Sequence, residues 1–201
     1  MTRPSRFVLF ASSLLLAGWA VTPAATAAAA APAASDRAQA ESQKLNAIFD
    51  EYFEEYLQQN PILATSIGDS RYNDRFVVGI SPAAIAAEEK LHRDYLARLQ
   101  TVDRTVLPAA DQLSYDIFRT GREREIEGFK FPDELIPLNQ FYSTPNSFAQ
   151  LGSGNGMQPF KTVQDYDNFL KRLDGFVAWT DQAIVNMKQG VQRGYTLPKV
   201  L

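Results

Sequence analysis

The chain of 201 residues contains no cysteine, which removes disulfides, thiolate nucleophiles and cysteine-based zinc sites together. It has a single histidine, His92, so catalytic-triad and metal chemistry that needs several imidazoles is out of reach. Basic excess is missing too: 20 Lys and Arg against 23 Asp and Glu give a net charge of −3, and nothing recommends nucleic acid as a partner. No internal repeat on the scale of roughly 20 to 50 residues is visible, which counts against a helical solenoid. What remains is globular usage, with 45% hydrophobic and 21% charged residues.

The apolar run from Phe7 to Val21 follows Arg3 and Arg6 and is shorter than a membrane-spanning helix, which needs about 20 residues. Ala25-Thr26-Ala27 offers a small-x-small cleavage site, so residues 1–27 read as a signal peptide. The expected location is periplasmic or secreted, with no stable membrane anchor after cleavage. Residues 28–40 are alanine-rich, carry Pro32 and show no core-forming pattern, so a flexible lead is expected there.

Residues 41–201 hold the helical periodicity. Leu45, Ile48, Phe49, Tyr52, Phe53, Tyr56 and Leu57 share one face, and Asn60-Pro61 ends that helix because a residue before proline avoids the α region. Pro61 suits the first position of a short helix closed by Gly68. Ser81-Pro82 repeats the start signal, and Pro108 opens a further helix with Leu113, Ile117 and Phe118 apolar. The spacing of Arg119 and Glu123 suggests a solvated ion pair. From Phe129 to Pro159, prolines and glycines interrupt the pattern, which predicts a long non-helical excursion whose aromatic residues pack against sequence beyond Leu201. Thr162 and Asp165 have capping-box spacing. An apolar stripe then runs through Val163, Tyr166, Phe169, Leu170, Leu173, Phe176, Val177, Ile184, Met187 and Val191, and this long helix needs a partner surface. Its apolar ending at Val200-Leu201 suggests the front of a longer protein.

Candidate chemistry is sparse. The glycine cluster before Lys161-Thr162 has Asn155 and Phe160 where a phosphate loop requires glycine. Gly68-Asp69-Ser70 resembles an esterase nucleophile block, but its only available base is His92 on a predicted helix. A helix stop and turn explain those residues more simply. For His92 a surface ion pair with Glu88 or Glu89 is the plain expectation, with an acid, base or ligand role as the alternative. Glu51, Glu54 and Glu55 lie on the polar side of their helix, where nothing marks one as buried enough for acid catalysis.

Pro61-Ile62-Leu63-Ala64-Thr65-Ser66-Ile67-Gly68-Asp69, Tyr72-Asn73-Asp74-Arg75, Asp165-Tyr166, Arg172-Leu173, Asp181-Gln182-Ala183-Ile184 and Gly190-Val191-Gln192-Arg193-Gly194-Tyr195-Thr196-Leu197-Pro198 resemble the N-terminal part of the bacterial domain of unknown function 885 (DUF 885) family. That resemblance covers about Leu45 to Leu201. It implies a largely α-helical, often exported protein similar to zinc-dependent peptidases, with a His-Glu metal signature far downstream. No such segment occurs here, so no catalytic or metal residue is carried over, no cofactor is expected in this chain, and zinc is implied only for a longer protein.

The expected fold is mainly α: an amphipathic helical bundle with one long irregular loop, an incomplete part of a larger metallopeptidase-like fold. Its expected partners are the C-terminal part of that fold and a peptide substrate, with Asn139 and Gln140 as substrate-binding candidates lining a cleft. The alternative is a self-standing periplasmic helical module, without enzymatic activity, that binds a partner through the 129–159 arm.

Overall fold

The computed structural model describes residues 30–140 and 143–199. Among them the chain forms α1 (Ala30–Gln59), α2 (Pro61–Ser66), α3 (Pro82–Leu99), α4 (Ala109–Gly128), α5 (Thr144–Leu151) and α6 (Val163–Arg193). Short 3-10 turns occupy Ser70–Tyr72, Arg104–Val106 and Asp133–Leu135. One antiparallel bridge, Leu138 to Ser143, is the sole β pairing among the described residues. The architecture is mainly α, in keeping with the periodicity. The signal peptide expected over 1–27, the aromatics Phe141 and Tyr142, and the terminal Val200-Leu201 lie outside the described residues.

Helix α1 begins at Ala30, within the 28–40 stretch where the sequence shows no core-forming pattern. Alanine is the strongest helix former, and Pro32 falls in the first turn, where its missing N–H costs no intrahelical bond. At the other end Asn60 leaves helical geometry at φ −125° and ψ 61°, and Pro61 starts α2. Gly68, at φ +88°, closes α2 through bonds from its own N–H to Thr65 O at 3.1 Å and from Asp69 N–H to Ala64 O at 2.9 Å. Left-handed backbone of this kind favours glycine.

Helices α1, α3 and α4 share the principal core. Leu45, Ile48 and Tyr52 of α1 meet Leu91, Tyr95 and Leu99 of α3, while Val102, Leu107 and Tyr115 close the third side. Burial of each large apolar side chain contributes about 1.5–3 kcal/mol, so this face supplies most of what holds the first half together. Polar ties rim it: Arg37 to Asp103 at 2.6 Å, Ser42 to Asp111 at 2.5 Å, and the Tyr95 hydroxyl donating to Glu55 at 2.8 Å. On α4 the inward residues are Tyr115 and Phe118, while Leu113 and Ile117 are exposed.

The stretch 129–159 is not wholly non-helical, because α5 and the turn at Asp133–Leu135 lie inside it. Pro145 sits in the first turn of α5, where proline initiates a helix and does not interrupt it. Its aromatic Phe148 is buried on this chain's own α6, not on sequence elsewhere. The Phe148 ring stacks on Phe176 with centroids 4.3 Å apart and on Phe169 at 5.3 Å, and meets Phe76 edge-on at 5.4 Å. Phe131, by contrast, is exposed.

Helix α6 starts with the reciprocal cap expected of Thr162 and Asp165 and ends on Gly194 at φ +79°. Its inner face carries Arg172, Trp179, Ala183, Asn186 and Gly190. Most of the apolar stripe faces outward, from Val163 at 78% exposure to Val191 at 67%.

Candidate functional site

Two cavities among the described residues open along α2, the 70–76 segment and α5. Thr65, in the wall of the smaller one, bonds to Arg172, which is 0% exposed. Sequence puts it there: it lies on the α6 face that also carries Phe169, Phe176 and Trp179. A guanidinium has five N–H donors in a planar fork, and here they fan out over neutral oxygens. Nε donates to Arg75 O at 3.1 Å. Nη2 donates to Thr65 Oγ1 at 2.5 Å, Tyr72 O at 3.0 Å and Pro61 O at 3.2 Å, and Nη1 donates to Gln158 Oε1. Thr65 in turn donates to Asn73 Oδ1 at 2.7 Å.

No carboxylate is bonded to this cation; the nearby Asp74 pairs with Lys171 at 3.3 Å. Burial therefore pulls the Arg172 pKa down to about 10, yet leaves it protonated at neutral pH. A buried charge without its donors satisfied would cost several kcal/mol, about the price of a whole domain's margin. Arg172 thus fixes α6 against α2 and the 70–75 turn, and Asn186 adds a bond to Ile80 O at 2.8 Å further along.

Beside this node opens a cavity of about 420 Å³ walled by Ile62, Phe76, Phe148, Leu151 and Met157, with Thr144 and Ser147 at its edge. That volume suits a small apolar ligand or an aromatic side chain. Its walls carry no ionisable group, so the cavity can bind but has no side chain to move a proton. A smaller cavity of about 220 Å³ exposes Asp69, Ser70 and Asn73. The Gly68-Asp69-Ser70 block behaves as a turn there: Asp69 accepts from Arg71 N at 3.0 Å, and hydrogen bonds from the Arg71 side chain hold its carboxyl below the usual range.

His92 departs from the sequence expectation. It is no surface residue; at 1% exposure it is buried in the α1, α3 and α4 half, with Tyr52 and Phe129 rings each 6.1 Å away. Glu88 approaches its Nε2 only to 3.9 Å, and Glu89 is paired with Arg93 instead at 2.6 Å. Neither ring nitrogen of His92 has a hydrogen-bond partner among the described residues. The three α1 carboxylates considered for acid catalysis do have partners: Glu51 pairs with Arg98, Glu54 with Arg71 at 2.8 Å, and Glu55 accepts from Tyr95.

Asn139 is half-buried and Gln140 exposed, next to the bridge between Leu138 and Ser143. The structure does not bring either one to the walls of the cavities described here. A cleft of about 330 Å³ collects Glu88, Glu125, Asp133 and Glu134, but among the described residues no group of three or more His, Asp or Glu side chains could hold a metal ion. The zinc that the resemblance implies for a longer protein has no ligand set among them.

The residues that sequence reasoning missed are Arg172 as a node and its partners Thr65 and Gln158. Arg172 could have been found by its place on the aromatic side of α6; Gln158, in an irregular segment, leaves no pattern. The quoted segments Pro61–Asp69, Tyr72–Arg75 and Arg172-Leu173 converge on this one node. A family model described as "Bacterial protein of unknown function (DUF885)" matches residues 61–201. Comparison with curated proteins and with solved structures gives no match.

Proposed function

Because the chain belongs to the family described as "Bacterial protein of unknown function (DUF885)", we propose that it is the N-terminal helical scaffold of an exported protein resembling zinc-dependent peptidase-like hydrolases. In this reading the zinc and the general base are supplied by sequence other than these residues, and the protein works in the periplasm or outside the cell. The observation that carries it is the destination of the matched segments. Pro61–Asp69, Tyr72–Arg75 and Arg172-Leu173 meet in a buried joint where the Arg172 guanidinium makes five hydrogen bonds, not around a nucleophile or ligand set. The outward apolar stripe of α6 gives such a scaffold a face on which further structure can dock. Asn139 and Gln140 remain candidates for a cleft wall in that assembly.

The test has two arms. The encoding DNA is read beyond the codon for Leu201, and the reading fails if several hundred following codons hold no His-Glu metal signature. The purified chain is titrated with zinc in a calorimeter and assayed on peptides. We expect neither stoichiometric tight binding nor hydrolysis, and tight zinc binding would overturn the reading.

A second reading, a self-standing binding module without enzymatic activity, is favoured by the apolar cavity beside Arg172. It requires specific capture of peptides bearing an aromatic side chain, abolished by Ser147→Trp, which would fill the cavity.

A further inference from the structure

The outer face of α6 has an order that a generic hydrophobic stripe lacks. Val163, Leu170, Val177, Ile184 and Val191 recur every seventh residue, and Tyr166, Leu173, Thr180 and Met187 interleave with them at the companion spacing. This is the a/d pattern of a coiled-coil seam, with mostly β-branched residues at a. On an isolated globular helix such residues face the core; here Val163, Tyr166, Leu170, Leu173, Val177, Ile184 and Val191 are all exposed. The seam's two flanks differ. One is formed by Phe169, Phe176, Ala183 and Gly190, which turn toward the chain's own body. The other is the row Asp167, Asp174, Asp181 and Lys188, all exposed, and none of its three aspartates makes an ion pair among the described residues.

We propose that this face is the docking surface for an α-helix of a different sequence, apolar at its own a and d positions and carrying a row of Lys or Arg that meets Asp167, Asp174 and Asp181. The seven-residue repeat selects a helix as the occupant, because only helical knobs match holes at that period. The acidic row selects a basic partner. A second copy of this chain fits poorly: antiparallel pairing sets Asp174 of each copy against Asp181 of the other at the middle of the seam, and parallel pairing sets the aspartate row against the flank already used by the body. Opposed like charges are destabilising and discriminate against the wrong partner. Lys188 adds polarity, since the partner row should end in an acid where it faces that residue. The inference rests on the scaffold reading only in taking this face as a contact surface.

Two labelled peptides of about three heptads test it. Both have Leu at a and d; one carries three lysines then a glutamate on the flanking row, the other three glutamates then a lysine. Fluorescence anisotropy with the full chain at low salt should show the lysine peptide binding at least about tenfold tighter, and about 0.5 M salt should shrink that advantage. The charge-reversed variant D167K/D174K/D181K, altered only at exposed positions, should prefer the glutamate peptide. Leu170→Glu with Val177→Glu should abolish binding of both while leaving the circular-dichroism melt unchanged. Equal affinity for the two peptides, binding of neither at about 100 µM, or a preference untouched by charge reversal overturns the proposal. So does a concentration-dependent dimer in sedimentation that the lysine peptide fails to displace. None of these outcomes bears on zinc or hydrolysis, so failure here is distinguishable from failure of the scaffold reading.

Discussion

At the scale of single residues, the chain invests its buried polarity in Arg172 and Tyr95. Replacing Arg172 by Lys keeps the charge but gives three donors where five oxygens are bonded, and the planar fork is lost. We expect Arg172→Lys to cost about 1–3 kcal/mol and Arg172→Ala about 3–5 kcal/mol, read from urea midpoints at neutral pH. Losses below about half a kcal/mol for both would show that the node is not structural. Tyr95 offers a pH signature. Burial first, and then its hydrogen bond to Glu55, raise its phenol to about 12. The folded chain therefore keeps a proton that the unfolded chain releases from about pH 10, so this contribution is intact below about pH 10 and is lost as pH climbs through about 12. Arg172 has the opposite sign, because a guanidinium lowered to about 10 is relieved as it deprotonates. Comparing wild type with Tyr95→Phe isolates the tyrosine: the mutant should lose less melting temperature between about pH 10 and 12. A parallel fall in both would refute this origin.

At the scale of elements, local signals in the sequence translate into structure wherever the chemistry is local. Ser81 accepts from Ala84 N ahead of Pro82, Thr162 and Asp165 cap each other, and Gly68 and Gly194 adopt the left-handed backbone that stops their helices. Thr162→Ala should cost about 1 kcal/mol. The same signals are masked where composition overrides them. Ser143-Thr144-Pro145 begins α5 with proline in the first turn, as Ser81-Pro82 begins α3, although Ser143 makes no side-chain cap bond; the surrounding prolines and glycines give the segment the composition of a loop. Pro32 similarly masked the alanine-rich start of α1. Close approach is illegible for a different reason, since it depends on elements far apart in sequence. A Cβ on Gly175 would lie 2.8 Å from both Cβ and O of Phe76, and one on Gly190 would lie 2.8 Å from Leu135 O. Both are contacts with groups the chain cannot simply move aside. Gly175→Ala and Gly190→Ala should each destabilise by about 1–3 kcal/mol, despite alanine's better helix propensity. Stabilisation of either variant in a thermal melt would show that α6 is free to shift.

At the scale of the whole molecule, two differently built regions are joined by few bonds. Helices α1, α3 and α4 enclose an apolar core of their own, whereas α6 is held through the phenylalanine stack, Arg172, and the bond from Asn186 to Ile80 O. The period of α6 was readable in advance, but its direction was not: amphipathicity marks a face as apolar without saying whether this chain or another covers it. Local opening follows contact, so elements with fewer buried apolar neighbours open first. Native-state hydrogen exchange should therefore find α6 amides opening at lower free energy than those of α1 and α3. Arg172→Ala should widen the difference by exposing α5 and α6 together, while Leu91, Tyr95 and Leu99 keep their protection. The basic helical peptide should act in the other direction, protecting α6 selectively, because a ligand stabilises what it binds in its native form. Uniform exchange across all the helices, with Arg172→Ala lowering every amide equally, would mean that the chain is one cooperative unit and that α6 needs no partner to complete it.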